Sequence, residues 1–325
     1  MDTTRFLHDL TLIPAALDEL ADRLDAGLDT LAELPPAARL LILGMGSSVY
    51  AAASVARHAR AQGMNVNVEL ASTADLPGPA PDLVVIAISA TGASAEVLAA
   101  VVPYARAGRL VALTNREDSA LARFADVVVP LHAGPEASGV ACRTFRHTAI
   151  VLAEVLARYG CSFETDAATL ARRAASANRH LLDTRDRWLS KTAEILGGPH
   201  GTWTLAPVER LASAQQSALM MREVPRRPAY ASETGDWSHV DVYLTKTLDY
   251  RALVFAGSAW DAAALDWMAQ RGSTFVGVGR ELPGAALTIR YPGDDDPRVA
   301  ALTEVLVGEL VAQHWFSESG EGIPD

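Results

Sequence analysis

The sequence predicts an α/β protein built from two similar halves, each a five-stranded parallel sheet flanked by helices. Half of the 325 residues are apolar while only 6% are aromatic, so the interior must be Ala, Leu and Val packed between helices and sheet. Short all-apolar runs alternate with Ala-rich stretches of helical rhythm, as parallel strands and their crossover helices do. The order of strands and helices also runs twice along the chain, at a distance of roughly 160 residues, far above solenoid periods, which points to duplication of a whole domain.

From Arg5 to about Glu33 apolar residues recur at helical spacing until Pro35-Pro36, and residues 1–35 are read as an N-terminal helical arm. LLILGMGSS is a buried strand ending in Gly and Ser, and it feeds the helix AAASVARHARAQG, closed by Gly63. VNVEL and LVVIAIS are strands, EVLAAVVPYARAG a helix, RLVALT and DVVVPL further strands. Right-handed crossovers between these segments make residues 36–165 a flavodoxin-like doubly wound domain. Residues 166–198 read as a linking helix, broken at Gly197-Gly198-Pro199. The second domain, residues 199–325, repeats the order through HGTWTLA, VERLASAQQSALMMRE, PAYAS, RALVFAG, WDAAALDWMAQRG, STFVGVG and ALTIRYP, and the helix PRVAALTEVLVGELVAQHWF closes it.

A formal charge of −11 has the wrong sign for a protein that clings to nucleic acid or anionic membranes. No apolar run approaches the roughly 20 residues of a membrane helix. Two cysteines, Cys142 and Cys161, and the absence of a leader at MDTTRFLHDL argue against a secreted disulfide framework, so a cytoplasmic location is expected. His58, His147, His180, His200 and His314 show no HExxH or Cys-His spacing, and neither a metal nor a cofactor is expected. Trp203, Trp237, Trp260 and Trp267 read as core or interface filler, and Asp294-Asp295-Asp296 as a solvated loop.

Open parallel sheets bind ligands beyond the carboxyl ends of their strands. Two such ends are rich in Ser, Thr and Gly: Gly44-Met45-Gly46-Ser47-Ser48 and Ser89-Ala90-Thr91-Gly92-Ala93-Ser94. Glycine permits the tight turn, hydroxyls offer donors, and the following helix presents free N–H groups to an anion. Either loop alone also fits ordinary helix capping; two on one sheet favour an anion. The GxGxxG pattern fails at Val49, and no GK[ST] follows, which disfavours a nucleotide.

These two loops resemble those of the sugar isomerase (SIS) family, and over about Leu40 to His314 the chain is similar to its double-SIS members. That group includes the isomerase half of glucosamine-fructose-6-phosphate aminotransferase and related aldose-ketose isomerases and deglycases. The resemblance implies that Gly46, Ser47, Ser48, Ser89, Ala90, Thr91, Gly92 and Ser94 bind a sugar phosphate. A third family loop, of the form G-V-A-S-T-K, is matched by Gly139-Val140-Ala141-Cys142-Arg143-Thr144 and implies that Val140 and Ala141 line the sugar. Ala90 and Ala93 stand where the family often has Gln and Glu, and Cys142-Arg143-Thr144 replaces Ser-Thr-Lys.

Moving a proton between adjacent carbons of a sugar needs one carboxylate within reach of both and a second group to open the ring. The family's A-L-x-x-x-E pattern is matched by Ala218, Leu219 and Glu223, and a histidine follows at His239. The resemblance implies that Glu223 is the base and that His239, contributed across a homodimer, opens the ring. Read without it, Glu223 is also a plain solvated helix end and His239 a packed side chain beside Trp237. The family's His-Gly-Pro is His239-Val240-Asp241 here, and the chain reaches Asp325 without the C-terminal lysine of the aminotransferase-type members. The expected function is thus phosphosugar binding with aldose-ketose isomerisation, or deamination or deglycation of an amino sugar phosphate, through an enediol or enolamine. The partner is a hexose or amino sugar 6-phosphate. The alternative is a non-catalytic phosphosugar-binding sensor.

Overall fold

The computed structural model describes residues 2–105 and 107–319; the final EGIPD segment, where no lysine occurs, lies outside them. Two helices, α1 (Thr3–Thr11) and α2 (Ile13–Ala26), open the chain where one continuous pattern was expected. The break has a local cause. The Leu12 N–H closes the first helix on the His8 carbonyl, and Pro14, in the first turn of the second, has no N–H to continue the ladder.

The elements that follow are β1 (Arg39–Gly44), α3 (Ser47–Ala61), β2 (Val66–Leu70), β3 (Leu83–Ile88), α4 (Ala95–Val101), β4 (Leu110–Thr114), α5 (Ala120–Phe124), β5 (Val127–Pro130) and α6 (Arg143–Arg158). Beyond them come α7 (Ala167–Thr184), α8 (Leu189–Leu196), β6 (Thr202–Ala206), α9 (Leu211–Glu223), β7 (Ala229–Glu233), α10 (Thr234–Trp237), β8 (Arg251–Phe255), α11 (Asp261–Gln270), β9 (Thr274–Val278), β10 (Leu287–Ile289), α12 (Pro297–Thr303) and α13 (Val305–Glu318). The chain divides into two compact units. One comprises residues 15–136 and 141–172; the other comprises residues up to 14, 137–140 and those from 173 onward.

The first unit holds an all-parallel sheet of order β2-β1-β3-β4-β5. Its central strands β1, β3 and β4 are covered on both faces, which is why they read as unbroken apolar runs. On one face Leu41, Leu43, Val85, Ala87, Leu110 and Ala112 pack with Val97, Val101, Tyr104 and Leu121. The long helix α6 packs against α3 in this unit.

The second unit holds a sheet of order β10-β9-β8-β6-β7, again all parallel. Numbered from the start of its own half, this is the same order as the first, as a duplicated domain requires. Its core gathers the large aromatics: Trp203 stacks on Tyr250 at 4.3 Å, and the Trp237 indole N–H donates to the Tyr250 hydroxyl at 2.6 Å. Trp260 and Trp267 remain exposed. The stretch VDVYLTK, whose pattern suggests helix, forms a 3₁₀ segment, Asp241–Lys246. Among the described residues no helix is long and apolar enough to cross a membrane.

Candidate functional site

In a sheet of order 2-1-3-4-5 the crossovers from the first and third strands leave on opposite faces, so a crevice opens beyond their carboxyl ends. The two hydroxyl-rich turns sit at these ends, after β1 and after β3. A Cβ built at Gly44 would stand 3.1 Å from Ser48 Cβ and 3.4 Å from the Ile88 carbonyl oxygen at the end of β3, so a side chain would be crowded between the two strand ends.

In the first turn Gly46 stands before α3 with φ 50° and ψ −126°, a conformation closed to side chains, and it makes no side-chain cap. Ser47 and Ser48 are half-buried in the first turn of this 15-residue helix, whose dipole favours an anion. In the second turn Ser89 is buried, and its Oγ lies 3.1 Å from Ser94 Oγ. Ser94 flanks α4, yet its hydroxyl does not cap that helix. Capping, the ordinary use of a serine there, is thereby set aside for Ser94. Thr91 is exposed and its Oγ1 accepts the Ala93 N–H at 3.3 Å.

Two backbone carbonyls of this turn are held by the protein. Ala90 O accepts the Asn115 N–H (3.1 Å) and the Thr114 hydroxyl (3.2 Å), and Gly92 O accepts the Leu121 N–H (3.0 Å). Carbonyl oxygens would repel a phosphate; here they are committed to the turn between β4 and α5. Gly92 is obligatory, because its φ is 62° and a Cβ would fall 2.1 Å from Ser119 Oγ.

The third loop divides between the two units. Within the second unit the Asp9 carboxylate accepts the N–H groups of Ala137 and Ser138 and the Ser138 hydroxyl, and Ser138 Oγ accepts the Val140 N–H; Val140 is buried. Within the first unit Ala141 is half-buried, and the amides at the start of α6 already hold an anion of the protein's own. Glu136 Oε1 accepts the N–H groups of Cys142 (2.7 Å) and Arg143 (2.6 Å), and Oε2 accepts the Thr144 hydroxyl (2.7 Å). Burial raises the Glu136 carboxyl above the ordinary range, against the pull of those three donors.

The crevice of the second sheet, beyond β6 and β8, is filled from within. Arg210, almost wholly buried, pairs with fully buried Glu304 and donates to the Ala256 carbonyl at 2.5 Å. Asp261 Oδ2 accepts the N–H groups of Gly257 (2.7 Å) and Ser258 (3.1 Å). The hydroxyl in that turn, Ser258, accepts the Trp260 N–H at 3.1 Å.

Glu223 ends α9, where the helix closes with the Val224 N–H on the Met220 carbonyl before Pro225. Its side chain reaches solvent, yet the protein packed around it pushes its carboxyl above the ordinary range. His239 follows α10, with its N–H on the Asp236 carbonyl at 2.8 Å and its side chain exposed. Asp241, standing in the place of the family's proline, accepts a short hydrogen bond from the Ser232 hydroxyl. Both Glu223 and His239 belong to the second unit, whereas the two hydroxyl turns belong to the first.

Asn115 and Glu136 escaped sequence reasoning. A polar residue directly after a buried strand, Asn115 after LVALT, was the available signal; Glu136 had none, because its three partners follow six to eight residues later, at the start of α6. No His, Cys, Asp and Glu cluster fit to hold a metal ion occurs among the described residues.

Residues 33–158 match the SIS domain family. Among characterised proteins the chain is similar to glutamine–fructose-6-phosphate aminotransferase (isomerizing) of Sulfolobus acidocaldarius, 27% identical over 236 residues, covering 71% of this chain and 39% of the relative. The Aeropyrum pernix enzyme of the same name is 30% identical over 223 residues, 65% of this chain and 36% of the relative. The chain thus spans well under half the length of these relatives. Among solved structures it superposes on the C-terminal domain of glucosamine-fructose-6-phosphate aminotransferase from Francisella tularensis with a TM-score of 0.81, at 15% identity over 100% of both chains. It also superposes on tagatose-6-phosphate ketose/aldose isomerase from Escherichia coli, with a TM-score of 0.78, 17% identity, and 98% and 93% of the two chains. Glucosamine-6-phosphate deaminase from Thermotoga maritima gives 0.74 at 17% identity, over 97% and 95%. At such identities the likeness is one of fold. Residues 33–158 thus carry the match to the SIS domain family, and the chain as a whole shares the fold of these two-sheet proteins.

Proposed function

We propose that the chain binds a hexose or amino sugar 6-phosphate and moves a proton between its first two carbons, as an isomerase, deaminase or deglycase. The observation that carries this reading is the pair Ser89 and Ser94, whose hydroxyls face each other at the crevice of the first sheet while neither serves as a cap for α4. Ser47, Ser48, Thr91 and the N-terminus of α3 complete an uncharged cradle that suits the phosphate. Gly46, Ala90 and Gly92 shape its backbone, and Val140 and Ala141 line the sugar.

Binding energy from the phosphate, remote from the reacting carbons, holds them in place. His239 opens the ring, and the Glu223 carboxylate takes the proton from one carbon and returns it to the next, through an enediol or enolamine. A base with a raised pKa is better matched to this work than an ordinary carboxylate. The protein acts as a homodimer in which His239 serves the partner's site, a reading supported by the exposed Val240, Tyr243 and Trp260.

The exposure of Glu223 and His239 in the single chain favours the other reading, a sensor that binds the phosphosugar without turning it over. Thermal shift against fructose, glucose and glucosamine 6-phosphates, followed by deuterium uptake from solvent at C1 or C2, separates the two. Binding with uptake supports the enzyme. Binding without uptake makes the chain a sensor, and no shift with any sugar phosphate removes both.

A further inference from the structure

The anion turn after β3 is shaped by residues that no ligand would touch. Its Ala90 carbonyl is held by the Asn115 N–H, and the Asn115 side chain is fixed at both ends. Asn115 Oδ1 accepts the Ala133 N–H at 3.1 Å, and Nδ2 donates to Thr144 Oγ1 at 2.8 Å. The Thr144 hydroxyl donates onward to Glu136, which grips the first amides of α6. Thr144 is buried, and Asn115 and Glu136 on either side of it are half-buried. From Ala90 to α6 the path is continuous: peptide, amide, hydroxyl, carboxylate, helix.

Each partner has a single compatible direction. A threonine hydroxyl has one hydrogen, given to Glu136, so it must accept from Asn115, and the asparagine must present its NH₂ to Thr144 and its oxygen to Ala133. This sets the orientation of the amide and, with it, the peptide that turns the Ala90 oxygen away from the crevice. We infer that Asn115 and Thr144 are positioning residues for the sugar-phosphate turn, holding Ser89–Ser94 in its binding shape from the α6 side. The inference rests on the phosphosugar reading above. A turn released from this support presents its Ala90 carbonyl to the crevice, where a phosphate would be repelled.

Calorimetric titration with fructose, glucose and glucosamine 6-phosphates tests it, using the sugar that the wild-type chain binds most tightly. Thr144→Val, which removes one hydroxyl at constant shape, and Asn115→Ala should each weaken binding by about tenfold. Thr144→Ser, which restores the hydroxyl, should return affinity to within about twofold, and a Thr144→Val/Asn115→Ala double variant should lose no more than about the larger single loss, since both break one chain. Melting temperatures recorded alongside separate affinity from folding. If both single variants melt earlier but bind as tightly as wild type, the residues are structural only and the inference is overturned. If wild type binds none of the three sugars, the phosphosugar reading itself fails, a result distinct from unchanged affinity in the variants.

Discussion

Ser89 Oγ and Ser94 Oγ lie 3.1 Å apart across one turn, with Ser89 buried at the end of β3 and Ser94 at the flank of α4. A hydroxyl donates one hydrogen and accepts through two lone pairs, so this contact leaves the pair with a further hydrogen to offer an incoming oxygen. The matching crevice of the second sheet holds Arg210, Glu304 and Asp261, and the hydroxyl of Ser258 there is taken up by the Trp260 N–H. Duplication has thus produced one crevice filled by the protein's own charges and one lined by neutral donors.

Replacing Gly92 by alanine should destabilise the first unit. The added methyl meets Ser119 at a φ of 62° that alanine resists, and the expected loss is about 1–3 kcal/mol. Denaturant unfolding of Gly92→Ala against wild type measures it, and an unchanged midpoint would show that the turn relaxes freely.

Glu223→Gln should abolish solvent proton exchange while leaving phosphosugar affinity within a few-fold of wild type. On this proposal the base works ionised, so the wild-type rate of exchange should rise with pH. Because the Glu223 carboxyl is raised, the midpoint of that rise should lie above the ordinary carboxylate range. A pH profile of deuterium uptake locates it; a midpoint at the ordinary value would place the working base elsewhere.

Arg210→Met should strand the buried Glu304 carboxylate and cost about 3–5 kcal/mol near neutral pH. Burial already raises Glu304, so the folded state holds its proton more tightly than the unfolded chain. Stability from this group is therefore full below the unfolded carboxyl's range and falls as pH climbs through the folded one. Without Arg210 the decline should steepen, and Arg210→Met/Glu304→Gln should recover much of the loss. Urea midpoints across the pH range check both.

His147 supplies the opposite limb. It is fully buried, with Nδ1 on the Leu131 carbonyl at 2.8 Å, and burial, with Arg143, His132 and Arg146 nearby, brings its pKa down to about 4 from an ordinary 6.5. The unfolded chain then binds the extra proton, so stability present above pH 6.5 should be lost as pH falls toward 4. The loss should be on the order of 3 kcal/mol. His147→Gln should flatten this limb in the same urea series; an unchanged slope would assign it to other groups.

The repeated sheet was legible because strands buried on both faces, such as LVVIAI, cannot be mistaken for amphipathic ones, and because Gly and Ser at their ends mark turns. The hydroxyl turns were legible for the same reason. What the local pattern hid depends on contacts distant in sequence. Asp261 looks like any first-turn acid until its hold on Gly257 and Ser258 is seen. Arg210 looks like a surface cation until Glu304 appears opposite it, and Glu136 like a solvated loop acid until α6 closes over it. The split between α1 and α2 could have been read from Pro14, which the periodicity of the surrounding apolar residues masked.

Titrating the Ser48→Ala/Ser89→Ala variant and the wild-type chain with the same hexose 6-phosphate reaches the centre of the account. Wild type should bind, and the variant should lose at least about tenfold in affinity while keeping its melting temperature, since two hydroxyl donors to a charged ligand are removed. Equal affinity in the two proteins would place the phosphate somewhere other than the crevice of the first sheet.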